Sequence, residues 1–78
     1  MPKLQARASQ LVVCVENEGY GASLGRRKIY VTLPDLTAEK QGLIRVIDES
    51  GEDYLYPKEL FRPLALPPSV RKAVLAAA

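Results

Sequence analysis

From Leu43 to Leu64 the chain reads LIRVIDESGEDYLYPKELFRPL, and that stretch leaves no room for a long helix. Leu43, Ile44, Val46 and Ile47 form an apolar, largely β-branched run broken only by Arg45, which suits a strand buried on one face. Asp48-Glu49-Ser50-Gly51-Glu52-Asp53 combines turn-forming side chains with a glycine able to take positive φ, and Tyr54-Leu55-Tyr56 resumes strand chemistry, so a hairpin centred on Ser50-Gly51 is predicted. Pro57 lacks an N–H and stops the ladder. Lys58-Glu59-Leu60-Phe61 is too short for a stable α-helix and reads as one 3-10 turn before a last strand ending near Pro63.

The totals restrict the chain further. With 78 residues it makes one domain with a small core. A net charge of +2 is too low to imply a polyanion partner. One cysteine forms no internal disulfide, and the longest early apolar run, Leu11 to Val15, is too short for a membrane span or a signal-peptide core. A cytoplasmic location is the expectation. Lys3 and Arg7 precede the first acid, Glu16, a faint likeness to a transit peptide. A flexible, solvated tail over residues 1–10 is the simpler reading.

Taken in order, Leu11-Val12-Val13-Cys14-Val15 is the first strand. A long connection with three glycines, Gly19, Gly21 and Gly25, runs to the basic strand start Arg26-Arg27-Lys28. In Ile29-Tyr30-Val31-Thr32-Leu33, the aliphatic residues 29, 31 and 33 share one face, and Lys28, Tyr30 and Thr32 share the other. After Pro34, the segment Asp35–Gly42 has space for one helical turn, with Thr37 as N-cap and Gly42 as stop. Pro67-Pro68-Ser69 introduces a short amphipathic helix in which Ser69 caps and Val70, Ala73, Val74 and Ala77 share a face. The expected fold is therefore all-β: five strands closed into a small barrel over residues 11–66, with a short 3-10 turn, and a helical tail over residues 67–78.

The second half of the chain resembles an SH3 (Src-homology-3) type barrel. There a bulky pair opens one strand, a distal hairpin follows, and an aliphatic-Pro-x-x-aromatic-aliphatic segment closes the fold. On that overlay the bulky pair is Leu43 and Ile44, the proline is Pro57, the groove-lining aromatic is replaced by Leu60, and the next core residue is Phe61. The resemblance also implies that the connection before Arg26 is the long loop between the first two strands. The chain is similar, too, to a pattern in a family of short bacterial proteins, GYxASL followed by LIRVIDESGEDYLYPKELF; that likeness implies no biochemical activity.

Catalytic chemistry finds little support. No histidine is present, which removes the commonest general base and metal ligand together, so the serines lack a triad partner. Cys14, set among valines, reads as a core thiol. Asp48, Glu49, Glu52 and Asp53 do not have calcium-loop spacing and read as a solvated acidic turn. The glycines fit neither a Walker loop nor a dinucleotide fingerprint. No enzyme activity, cofactor or metal is expected.

Two binding readings remain. The SH3 likeness implies peptide recognition, but proline-rich ligands are gripped by flat aromatic rings and the chain has no tryptophan. With aliphatic residues in those places, Leu43, Leu55, Pro57 and Leu60, with loop residue Tyr20, form an exposed patch in this overlay. It is expected to contact a protein partner or a second copy, with the C-terminal tail as a further cover in cis or in trans. The alternative is a small nucleic-acid-binding barrel in which Arg26, Arg27 and Lys28, beside Tyr30 and joined by Lys58 and Arg62, track phosphates and stack a base. The first reading, a non-catalytic protein-interaction or assembly module, is the leading one.

Overall fold

The computed structural model describes residues 9–77, so most of the tail expected over residues 1–10 lies outside the described residues. Strands β1 (Gln10–Cys14), β2 (Ile29–Leu33), β3 (Leu43–Ile47), β4 (Asp53–Pro57) and β5 (Phe61–Pro63) form one antiparallel sheet in the order β4-β3-β2-β1-β5. The sheet curls strongly into a half-barrel. Helix α1 (Leu36–Lys40) links β2 to β3, a 3-10 turn (Lys58–Leu60) links β4 to β5, and helix α2 (Pro68–Ala77) ends the chain. No helix among the described residues is long and apolar enough to cross a membrane.

Several local expectations shift by a residue or two. The basic run is a turn rather than a strand start: Arg27 takes φ 67, and its N–H donates to the Cys14 carbonyl before β2 begins at Ile29. Asp35, not Thr37, caps α1, because its carboxylate accepts from the Ala38 N–H at 3.0 Å. A carboxylate at this position is as good a cap as a hydroxyl and complements the helix dipole. Gly42 ends the connection at φ +76, and Gly51 turns the hairpin at φ +86, conformations that cost a side-chain-bearing residue energy. Helix α2 starts at Pro68 rather than after Ser69, the fixed φ of proline suiting a first helical position.

The core lies on the tyrosine-bearing face of the sheet. The core cluster comprises Val12, Cys14, Leu24, Tyr30, Val46, Tyr56, Leu60 and Phe61, with Ile44 packed against it. Along β2, therefore, Tyr30 and Thr32 point inward, while Ile29 remains 43 % exposed. The rings of Tyr30 and Tyr56 each meet Phe61 edge-on, at centroid distances of 6.4 and 6.2 Å. Such T-shaped contacts align the positive ring edge with the negative face. Cys14 is fully buried; burial pushes its thiol above the ordinary range, against the smaller opposing effect of its bond to the Glu16 carbonyl. Cys14 thus is the core thiol that its neighbours suggest.

Leu24 anchors the long β1–β2 connection. It is 1 % exposed and packs in the core cluster although it belongs to no strand. Asn17 holds the same segment by donating from Nδ2 to the Leu24 carbonyl at 2.9 Å. Replacing Leu24 with Ala is expected to cost about 3 kcal/mol, because it deletes buried methyl groups and leaves a void. Urea unfolding checks this: the midpoint should fall with little change in slope, and a loss below ~1 kcal/mol would mean that the connection does not share the core.

Candidate functional site

Backbone alternation and strand register sort the side chains into an inner and an outer set. Val12, Cys14, Tyr30, Thr32, Val46 and Tyr56 face inward. On the outer face, Val31 pairs with Ile47, Leu33 with Arg45, Arg45 with Leu55, and Leu43 with Pro57. Ile29 and Leu55 are exposed there, and Val31, Leu33, Leu43, Ile47 and Pro57 are half-buried. The outer side of β2, β3 and β4 thus carries mainly aliphatic side chains, of which Ile29 and Leu55 are exposed.

Arg45 is the one charge in β3, and it crosses that surface. Its guanidinium donates from Nε to Asp35 at 2.9 Å and from Nη1 to Asp53 at 2.9 Å. It therefore ties the α1 cap to the far strand. The Asp35 carboxyl is held below its ordinary range chiefly by the Ala38 N–H, and next by Arg45.

The inner face is closed by two tyrosine–carboxylate pairs. The Tyr56 hydroxyl donates to Asp48 Oδ2 at 2.6 Å and lies 3.0 Å from Ser23 Oγ. Ser50 gives Asp48 Oδ1 two further donors, its N–H at 2.8 Å and its hydroxyl at 2.5 Å. Tyr30 donates to Glu49 at 2.5 Å and accepts from the Gly25 N–H at 2.7 Å. Asp48 is only 7 % exposed. The β3–β4 hairpin is therefore not a wholly solvated acidic turn: Asp48 and Glu49 are the acceptors that satisfy buried phenols. Among the described residues no group of three or more histidine, cysteine or carboxylate side chains is placed to hold a metal ion.

The residues expected to form one aliphatic patch are divided between the two faces. Leu43, Leu55 and Pro57 do come together on the outer side. Leu60 does not join them: the 3-10 turn directs it into the core, where it is 7 % exposed. Tyr20 belongs with the inner side, its ring meeting that of Tyr56 edge-on at 5.3 Å. In place of these two, the structure adds Ile29, Val31, Leu33 and Ile47, whose pattern in the sequence marks strands but not which face is at the surface.

The alternative basic site also loses members. Tyr30 is 6 % exposed and unavailable to stack on a base. Arg26, Arg27 and Lys28 are exposed, with the Lys28 ammonium 3.5 Å from Glu49. Lys58 and Arg62 instead line a cleft of about 440 Å³ with Val12, Leu43, Ile44 and Phe61, which includes none of residues 26–28. Arg62 turns its guanidinium onto the Glu59 and Phe61 carbonyls. No family model, curated protein or solved structure matches the chain.

Among the described residues, Arg71 of the C-terminal helix donates to the Ser9 carbonyl at 2.5 Å, a contact in cis. None of the helix's residues is buried. It leaves Leu55 at 41 % exposure.

The tyrosine pairs make stability depend on pH in a defined way. For Asp48, burial is the largest influence and acts to raise the carboxyl, but the Ser50 and Tyr56 bonds together outweigh it and hold it below the ordinary 3.8. Glu49 is held below 4.5, first by the Tyr30 hydroxyl. Depressed carboxyls stabilise the fold fully above those values, and the contribution is lost as pH falls through the lowered ones. Burial, then the bond to Glu49, pushes Tyr30 from 10.0 to about 12; its contribution is complete below pH 10 and is lost as pH rises through about 12. Tyr56→Phe should cost about 1–3 kcal/mol at neutral pH by leaving buried Asp48 short of a donor. It should also make the fall in stability below pH 4 shallower, which denaturant melts at stepped pH will measure; an acid limb unchanged from wild type contradicts the pairing.

Proposed function

We propose that this chain is an SH3-like barrel that works as a non-catalytic protein-interaction or assembly module, and that it contacts its partner through the outer aliphatic face of β2, β3 and β4. Support for the SH3-like reading comes from the long connection between the first two strands, the hairpin at Ser50-Gly51, and the 3-10 turn that follows Pro57 and leads into the last strand. Support for a non-catalytic role comes from the chain's lack of histidine and from the commitment of Asp48 and Glu49 to tyrosine hydroxyls.

The observation that carries the binding reading is the inverted placement of aliphatic side chains. Ile29 and Leu55 are 43 % and 41 % exposed on the same sheet face, while polar-tipped tyrosines occupy the interior. Contiguous apolar surface on a small domain is a contact site more often than it is idle. The Arg45 guanidinium, held flat between Asp35 and Asp53, adds a fixed polar point within that surface, as protein interfaces commonly do. Proline-rich ligands are not the expected partner. The groove position that carries an aromatic in SH3 domains is Leu60 here, and it is buried.

Ile29→Lys tests the reading with little risk to folding, because the side chain is largely exposed. Immobilised wild-type protein is expected to retain a protein partner that the variant, melting at the same temperature, retains at least about tenfold less. Identical retention by both proteins would show that the outer face is not the contact surface.

A further inference from the structure

Strand β4 is an edge strand, and its unused hydrogen-bonding side can be identified residue by residue. Two backbone bonds flank the β3–β4 ladder: Asp48 N–H to the Glu52 carbonyl, and Lys58 N–H to the Gly42 carbonyl, each 3.0 Å. Hydrogen-bonded pairs recur every second residue in an antiparallel ladder. The paired positions of β4 are therefore Tyr54 and Tyr56, opposite Val46 and Ile44. Asp53, Leu55 and Pro57 turn their backbone groups outward. Among the described residues, no backbone bond outside the ladder reaches those of Asp53 or Leu55. The two most exposed large side chains of β4, Tyr54 at 50 % and Leu55 at 41 %, flank this edge on opposite faces of the sheet.

We infer that β4 pairs with β4 of a second copy, antiparallel about a twofold axis through Leu55. This goes beyond contact through the outer face, since it uses the sheet edge. In this register the two Leu55 residues exchange N–H···O=C bonds, and each Asp53 N–H faces the carbonyl of the second copy's Pro57. Pro57 has no N–H to return, so that pair contributes one bond rather than two. Tyr54 lies against the second copy's Tyr56, which covers its exposed ring. Glu52 lies opposite the second copy's Lys58.

Charge selects the occupant and the register. Lys58 has no carboxylate partner among the described residues, and self-pairing supplies one twice, by symmetry. Asp53 is already neutralised by Arg45 at 2.9 Å, so it does not repel the incoming strand. The competing register, two residues away, sets Tyr54 against Tyr54. It draws the acidic ends of both hairpins toward the axis and sets Lys58 diagonal to Glu52 rather than directly opposite it. Isologous pairing of one strand with itself is also the simplest closed use of a free edge.

Single cysteines distinguish the outcomes, because directly opposed residues in either kind of antiparallel pair have Cα separations, about 4.5 to 5.5 Å, that a disulfide can span. Cys14 is fully buried and does not compete. Mild oxidation of the folded protein should yield a covalent dimer with Leu55→Cys but not with Tyr54→Cys. Dimer from Tyr54→Cys alone, from both equally, or from neither overturns the register. In the otherwise native chain, Lys58→Glu should weaken self-association in sedimentation runs about tenfold, and adding Glu52→Lys should restore it. Failure of the double variant to recover, with both variants folded by circular dichroism, also overturns it. Ile29→Lys, which alters the outer face two strands away, should leave cross-linking through Leu55→Cys unchanged; failure of the face reading is thereby separable from failure of edge pairing.

Discussion

The hydrogen bond from Tyr56 to Asp48, with its counterpart from Tyr30 to Glu49, decides which side of the sheet is the interior. Either face of β2 is able to bury apolar area. The aliphatic face of Ile29, Val31 and Leu33 offers more of it per residue, but only the tyrosine face brings hydroxyls that meet acceptors at the right place. A buried phenol without a partner is costly, and a buried carboxylate without donors more so. Placed together, at 2.6 Å and 2.5 Å, each removes the other's penalty. The hairpin that supplies the carboxylates is thereby fastened to the long connection after β1, where the Ser23 carbonyl accepts from the Glu49 N–H and Leu24 fills the core. Loop, hairpin and core then form one cooperative unit despite the chain's small size.

That choice has a consequence at the surface. Once the rings of Tyr30, Tyr56 and Phe61 fill the inside, the aliphatic residues of the central strands have only the outside left. That side is covered in part: Leu11, which pairs with Val31, is 2 % exposed, and Val31, Leu33, Leu43 and Ile47 are half-buried, so Ile29 and Leu55 are left as its exposed aliphatics. Arg45 spans that side with two carboxylate partners, which keeps a charge on the face without leaving it unpaired. The outer surface is therefore apolar by displacement rather than by an excess of hydrophobic residues, since their share of the composition, 47 %, is ordinary for a globular chain.

The strands were legible because their signals are local. β2 occupies the five residues whose alternation marks it, the hairpin turns at Gly51, and the 3-10 turn follows Pro57. Period two, however, says only that two faces exist. It does not say which is buried, and the usual preference for aliphatic interiors pointed away from Tyr30. The missing information was long-range: Tyr30 and Glu49 are nineteen residues apart. The presence of tyrosines on strands beside an acidic hairpin was the available signal. Leu60 shows the same limit at shorter range. A gapless overlay places it in a groove, whereas a turn three residues long rotates it into the core.

The two edges of the sheet differ in a way that follows from their sequences. β5 spans three residues and ends in Pro63, so it offers little ladder to any incoming strand. Short length and proline are common protections for an edge. β4 has five residues, places its proline last, and surrounds its outward backbone groups with exposed side chains. Its acidic approach is the remaining barrier, and it is partial: Asp53 is paired with Arg45, while Glu52 is opposed in sign by Lys58 at the other end of the same strand. A strand with acid at its start and base just past its end repels a parallel copy of itself and attracts an antiparallel one. The edge is therefore protected against indiscriminate pairing and left open in a single orientation.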